Sequence, residues 1–261
     1  MGRRTTNTNS KKRAKYDEED SMDFNQSNRS ESKGIDDFLK FKKIKLSDKQ
    51  VELFNLIKGN KIIIATGPPG TAKTFCACYA ALKLYAKKQC DKIIISKPTE
   101  IVGSNALGFL PGGLDEKLFV YMDSFVSVCS DIVERPFLNQ MIASKDIEYK
   151  PVQFMRGATF KNCIVIVDEF QSFDIKELMA IVTRFGENCK MIFIGDVNQN
   201  DIDKKYVAVS VFQKILIGIE GVVTFEFERK DIVRDPMLIE ITDRYEKLKD
   251  NGELTLNKKN T

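Results

Sequence analysis

Two kinds of apolar pattern alternate along the middle of this chain. Short apolar runs occupy residues 61–66, 92–96, 163–167, 191–194 and 222–227, rich in β-branched or aromatic residues. Runs of that length without polar alternation have the pattern of strands covered on both faces. Longer stretches, at 48–58, 73–88, 114–133, 174–185, 207–217 and 237–249, are read as helices. The alternation predicts βαβ units, and therefore an α/β fold with a largely parallel five-stranded core sheet and flanking helices.

The two ends break this pattern. Residues 1–36 are rich in Ser, Asn, Lys, Arg, Asp and Glu and nearly empty of aliphatic side chains. Such a segment cannot offset the entropy of ordering, so a disordered polar tail is expected there. Its charge is segregated: Arg3, Arg4, Lys11, Lys12, Arg13 and Lys15 precede Asp17, Glu18, Glu19 and Asp20. A basic arm touching nucleic acid and a solvated tail both fit that arrangement. Residues 251–261 are polar again and are expected to be flexible. The remainder, 37–250, has the size of one α/β domain with its own core.

Composition removes several chemistries. The chain has no histidine, which excludes a Ser-His-Asp hydrolase, a Cys-His protease and a histidine-ligated zinc site, and leaves acid–base work to carboxylates. Its net charge of +4 is too mild to diagnose a nucleic-acid partner. The six cysteines form no CxxC pair and sit mostly in apolar runs, which reads as reduced, structural thiols in a cytoplasmic setting. No apolar run approaches the ~20 residues that span a bilayer, so no membrane partner is expected.

The segment Gly67, Pro68, Pro69, Gly70, Thr71, Ala72, Lys73, Thr74 follows the first strand run and opens a helix. In that setting a glycine-bearing loop turns backbone N–H groups around phosphate oxygens, and the helix N-terminus adds its positive end. Anionic phosphate is the natural ligand: in bound ATP, Lys73 would reach the β- and γ-phosphates, and the Thr74 hydroxyl would coordinate Mg²⁺. Ala72 stands where the strict pattern has glycine. If that residue is near helical geometry it fits without strain. A plain Gly/Pro turn is the alternative.

A second strand run ends in Asp168-Glu169-Phe170-Gln171, at the strand end where α/β sheets gather their ligands. After a phosphate loop this reads as a metal-supporting Asp168 and a water-activating Glu169. Asp174 with Glu177 reads as the capping box of the following helix. A third strand run ends in Gly195-Asp196, with Gln199 close behind. Asp196 and Gln199 can sense the γ-phosphate or simply form a polar turn.

Taken in order, these segments resemble the PhoH-like family of P-loop ATPases, related to the ATP-binding half of superfamily 1 helicases. The resemblance runs from Leu46-Ser47-Asp48-Lys49-Gln50 through Lys97-Pro98-Thr99, Leu107-Gly108-Phe109-Leu110-Pro111-Gly112, Phe154-Met155-Arg156-Gly157 and Thr183-Arg184-Phe185-Gly186 to Asp231-Ile232-Val233-Arg234-Asp235-Pro236. It implies a RecA-like P-loop NTPase fold, ATP hydrolysis, a ring-shaped homo-oligomer, expected to be a hexamer, and action on single-stranded nucleic acid, with RNA favoured. A stand-alone domain looks like the phage type, at work in a bacterial or phage-infected cytoplasm. Gln50 matches a glutamine that reads adenine, although Ser47 and Gln50 also make a capping box. Lys97 and Thr99 match a segment that contacts the nucleic-acid backbone, or form a solvated loop. The glycine-rich run around Phe109 fits a mobile substrate loop or a packed turn. Arg234, with Arg156 and Arg184 in reserve, is the candidate to complete a neighbouring subunit's site, against a salt bridge to Asp231 or Asp235. A protein remodeller of the AAA+ type and a nucleotide switch without turnover are the alternative readings.

Overall fold

The computed structural model describes residues 40–98, 114–196 and 203–251. Its strands are β1 (Ile62–Thr66), β2 (Lys92–Ser96), β3 (Ile147–Tyr149), β4 (Cys163–Asp168), β5 (Cys189–Gly195) and β6 (Val222–Glu226). Its helices are α1 (Asp48–Gly59), α2 (Lys73–Ala86), α3 (Leu114–Ile132), α4 (Arg135–Ala143), α5 (Ile175–Val182), α6 (Asp203–Leu216) and α7 (Pro236–Asp250). The strands form one six-stranded sheet in the order β3-β2-β4-β5-β1-β6, and every pairing is parallel.

Five of these strands coincide with the expected runs; the sixth, β3, corrects the five-stranded expectation. Its three residues, Ile147-Glu148-Tyr149, place a charge between two apolar side chains, too short a pattern to register as a strand. It forms because β2 offers an edge: Ile93, Ile94 and Ile95 stand opposite Ile147, Glu148 and Tyr149. Helix α4 also escaped the pattern. Pro136 opens it, since proline costs nothing in a first turn whose N–H groups have no intrahelical partner. The tail boundaries at 1–36 and 251–261 fall almost wholly outside the described residues.

Each central strand is buried on both faces, so alternate side chains feed two cores. Ile63, Ala65, Ile93, Ile95, Ile164, Ile166, Ile192 and Ile194 face the side covered by α1, α2, α3 and α4. Ile64, Ile94, Val165, Val167, Met191 and Phe193 face α5 and α6. There Phe212 meets Phe193 edge to face, with ring centroids 4.9 Å apart, and is fully buried. Truncating such a ring to alanine costs about 3–5 kcal/mol. All six cysteines are buried and unpaired, and burial lifts the Cys76 and Cys90 thiols to about 12. They are packing residues. Among the described residues no helix is long and apolar enough to cross a membrane.

Parallel pairing decides where chemistry can gather. Thr66 lies opposite Gly195 and Glu226, Asp168 opposite Ile194, and Ser96 opposite Val167. The C-terminal ends therefore share one edge of the sheet. Strand β5 runs between β1, which carries the phosphate loop, and β4, which carries the acidic pair. This is the RecA-like P-loop arrangement.

Candidate active site

The loop after β1 leaves the strand through Gly67, whose φ of 142° and surroundings both require glycine: a Cβ there would sit 2.6 Å from the Phe227 carbonyl oxygen. The Thr71 hydroxyl, fully buried, donates to the Pro68 carbonyl at 2.9 Å. Lys73 Nζ donates to the carbonyls of Gly67 at 2.7 Å and Pro68 at 2.8 Å. The loop thus holds its cation over its own centre. Burial lowers the Lys73 pKa, and the carboxylates of Asp196, Glu169 and Asp168 oppose that shift, while Arg234 adds to it. Lys73 therefore lies in the field of all the charged residues read from the sequence as catalytic.

Ala72 departs from expectation. It adopts the left-handed conformation, φ 64° and ψ 31°, as the cap of α2, and is not near right-handed helical geometry. The loop must reverse its backbone there to aim the first N–H groups of α2 inward. A Cβ in that conformation costs roughly 1–2 kcal/mol.

On the facing strand, Thr74 Oγ1 donates to Asp168 Oδ1 at 3.3 Å, and the Glu169 N–H donates to the same oxygen at 3.1 Å. Asp168 is 7% exposed. Desolvation first, then the neighbouring Glu169 charge, pushes its pKa up to about 6, against the pull of Lys97 and the two hydrogen bonds. A buried carboxylate beside a hydroxyl is a hard-oxygen pair suited to Mg²⁺. Glu169 itself is left-handed, φ 52° and ψ 40°, which bends the chain out of β4 into the 3₁₀ turn Phe170–Ser172. Strain of this kind persists where surrounding structure fixes it.

Gln171 is the residue that sequence reasoning left without a site role. It is 3% exposed, and its Nε2 donates to Glu169 Oε2 at 2.6 Å while its Oε1 accepts the Asp196 N–H at 3.2 Å. One amide thus ties the acidic turn of β4 to the end of β5. Gly195 makes room for it, because a Cβ at that position would fall 2.0 Å from Gln171 Oε1. The available signal was spacing: two residues after the acidic pair, a glutamine in a tight turn can reach back to the first carboxylate it passes.

The other candidates divide. Asp196 is buried at the end of β5, whereas Gln199, Thr99 and the run Leu107–Gly113 lie outside the described residues. Gln50 is buried and forms the capping box: Ser47 N–H donates to Gln50 Oε1 at 3.0 Å and Gln50 N–H to Ser47 Oγ at 3.3 Å. Asp174 and Glu177 form theirs likewise. Lys97 follows β2, near enough for its charge to act on Asp168. Arg184, half-buried, precedes a bend whose Phe185 and Gly186 line a cleft at the opposite edge of the sheet.

Arg234, expected to complete a neighbouring subunit's site, lies beside the chain's own phosphate loop. Val233 N–H donates to the Gly70 carbonyl at 3.0 Å, so this segment braces the chain's own phosphate loop, and the Arg234 charge acts on its own Lys73. Asp231 and Asp235, its expected salt-bridge partners, accept the backbone N–H groups of Glu228 and Met237.

A family model described as PhoH-like protein matches residues 43–246. The PhoH-like protein of Synechocystis sp. is 32% identical over 200 residues, covering 76% of this chain and 61% of that one. The PhoH-like protein of Bacillus subtilis is 33% identical over 199 residues, covering 76% and 62%. Protein PhoH of Escherichia coli is 31% identical over 160 residues, covering 60% and 45%. The chain thus spans less than two thirds of the length of these relatives. Among solved structures, the Pif1 helicase from Candida albicans is similar at 15% identity and a TM-score of 0.40, over 77% of this chain and 44% of that one. The Sulfolobus solfataricus SWI2/SNF2 ATPase core in complex with dsDNA is similar at 13% identity and a TM-score of 0.43, over 83% and 55%.

Two substitutions test this geometry. Ala72→Gly removes the Cβ strain but loosens the unfolded chain by about 0.4–1 kcal/mol, so the net change is between zero and a gain of about 1.6 kcal/mol. Thermal melting should show no loss of stability, and a clear drop would contradict the left-handed assignment. Asp168→Asn removes a buried charge whose folded pKa, about 6, is raised above the ordinary 3.8. The wild-type carboxyl is thus tolerated best below about pH 4 and costs stability as pH rises through 6. Metal-free Asp168→Asn should be more stable than wild type by roughly 2–3 kcal/mol at pH 8 and by less at pH 5. Denaturant titrations at both pH values measure this, and an equal difference would refute it.

Proposed function

The chain belongs to the PhoH-like protein family, and on that premise we propose that it hydrolyses ATP with Mg²⁺ to drive a helicase-like motor or remodeller on single-stranded nucleic acid. One observation carries the catalytic part: the phosphate loop, the Thr74–Asp168 contact and the Glu169–Gln171–Asp196 bridge converge on one edge of the sheet.

The roles follow from what each group holds. Lys73 exchanges the Gly67 and Pro68 carbonyls for β- and γ-phosphate oxygens, with the backbone from Gly67 to Thr74 as cradle. Thr74 and Asp168 would hold Mg²⁺, which would neutralise phosphate charge. Glu169 accepts the proton of the attacking water, and Gln171 fixes the carboxylate that does so. Asp196, with Gln199 beyond it, senses the γ-phosphate through the same amide. Gln50 offers the adenine its Nε2 while its Oε1 caps α1. Arg234 acts on its own chain's nucleotide, stabilising charge that develops in the transition state.

The polynucleotide part rests on the helicase resemblance and on Lys97, a cation between the acidic site and the edge strand. In its finer form the reading has RNA as the favoured strand and a hexameric ring in the cytoplasm, with Arg184 left to reach a neighbour. A heterologous contact repeated by rotation closes into such a ring.

Hydrolysis assays with single-stranded RNA, single-stranded DNA and duplex test the proposal. Single strands, RNA most, should stimulate turnover, and their affinity should fall steeply with salt through counterion release. Lys73→Ala should abolish hydrolysis and weaken nucleotide binding. Glu169→Gln should keep binding and lose nearly all turnover. Gln171→Ala should keep binding and lose turnover by on the order of 10- to 100-fold, as a misaligned base does. Wild-type turnover in Glu169→Gln would remove it as the base, and an assay indifferent to every polynucleotide would remove the motor. Light scattering showing a fully active monomer would remove the ring.

A further inference from the structure

Strand β3 runs out at Tyr149 into Lys150, Pro151 and a 3₁₀ turn over Val152–Phe154. Positions three apart in such a turn point the same way. Val152 and Met155 accordingly go inward and are buried in the core under α5. Gln153, Phe154 and Arg156 remain outside, and Phe154 is 55% exposed. Single exposed apolar side chains are common on protein surfaces, so that exposure carries nothing by itself.

Three other observations give it meaning. The turn lies at the C-terminal edge of the sheet, tied to the end of β2: Lys150 N–H donates to the Ile95 carbonyl at 2.8 Å, and Tyr149 Oη donates to the Lys97 carbonyl at 3.0 Å. Lys97 in turn acts on Asp168, so one continuous edge leads from the acidic site past a cation to this turn. The ring is also presented on a fixed backbone, since Phe154, Met155 and Ala158 N–H groups donate to the carbonyls of Pro151, Val152 and Met155. Finally, Gly157 turns the chain away at φ +82°, and a Cβ there would meet nothing within 4 Å, so the side next to Arg156 is open.

We propose that Phe154 is a stacking platform for one unpaired base of a bound single strand, with exposed Arg156 taking an adjacent phosphate. This rests on the reading that single-stranded nucleic acid is the substrate. A rigid aromatic face with an exposed cation two residues along the chain suits it because every base offers a π-face, whereas the phosphates follow at regular spacing whatever the sequence. The turn's own packing is already satisfied by Val152 and Met155, so the ring is available for a base.

Fluorescence anisotropy with a labelled single-stranded oligonucleotide, at several salt concentrations, tests the assignment on the full chain. Phe154→Ala should weaken binding roughly 5- to 150-fold, the loss of one stacked base, without changing the salt slope. Phe154→Tyr should restore it and Phe154→Leu should not. Arg156→Ala should instead reduce the salt slope by about one. Thermal melting checks that each variant folds. Wild-type affinity in Phe154→Ala, or full rescue by leucine, overturns the platform while leaving the motor reading standing. A change in particle mass with unchanged oligonucleotide affinity overturns it in favour of a protein contact. Wild-type protein that binds no single strand, even at low salt, overturns the substrate reading and the platform with it.

Discussion

Everything chemical in this molecule depends on the parallel pairing of β1, β5 and β4. Parallel strands cannot turn back on themselves, so each must be followed by a crossover, and each delivers its C-terminal end to the same edge. The phosphate loop, the Asp196 turn and the acidic pair are far apart in sequence and adjacent in space for that reason alone. The register does the rest, setting Thr66 beside Gly195 and Asp168 beside Ile194. A shift of one residue would turn Asp168 to the opposite face of the sheet, away from Thr74 on α2.

That edge is built against stability at several points. Asp168 is a carboxyl held out of water with another acid beside it, Lys73 is a cation held partly out of water, and Ala72 and Glu169 are held left-handed. Each arrangement opposes folding in isolation, and the two large cores on either side of the sheet offset it. Such sites are expected where charge must be ready for a ligand that brings the opposite charge. The loop's temporary partner for Lys73 is its own backbone, which leaves the cation desolvated and close to where phosphate oxygens would lie. Gln171 joins the two halves of the site, so that whatever moves the end of β5 is felt at Glu169 through one amide, and Gly195 is small because that amide passes over it.

The same edge continues outward through Lys97 to the β3 turn. Tyr149 and Lys150 bind this turn to the end of β2, which makes a rigid connection between the acidic site and the exposed Phe154. Nucleotide and polynucleotide would then be read by neighbouring strand ends of one sheet, a short path by which either could bias the other.

Much of this was legible in the chain itself, and the reasons are local. A strand buried on both faces has to be a continuous apolar run, so five strands announced themselves. The loop Gly67–Thr74 and the pair Asp168-Glu169 were readable because backbone reversal around phosphate and carboxylates at a strand end leave residue types that few other structures need. Capping boxes at Ser47–Gln50 and Asp174–Glu177 were legible because they close within one turn. What only the tertiary structure decided depends on partners distant in sequence. Strand β3 exists because β2 has an open edge, not because of its own pattern. The conformation of Ala72 follows from the path the loop must take, and a sequence does not display φ. Gln171 acquired its role from β5, and Arg234 its place on its own phosphate loop from the hydrogen bond between Val233 and Gly70. Composition and periodicity determine which segments must be buried together; which side chains then meet is set by the register and crossovers that pack them.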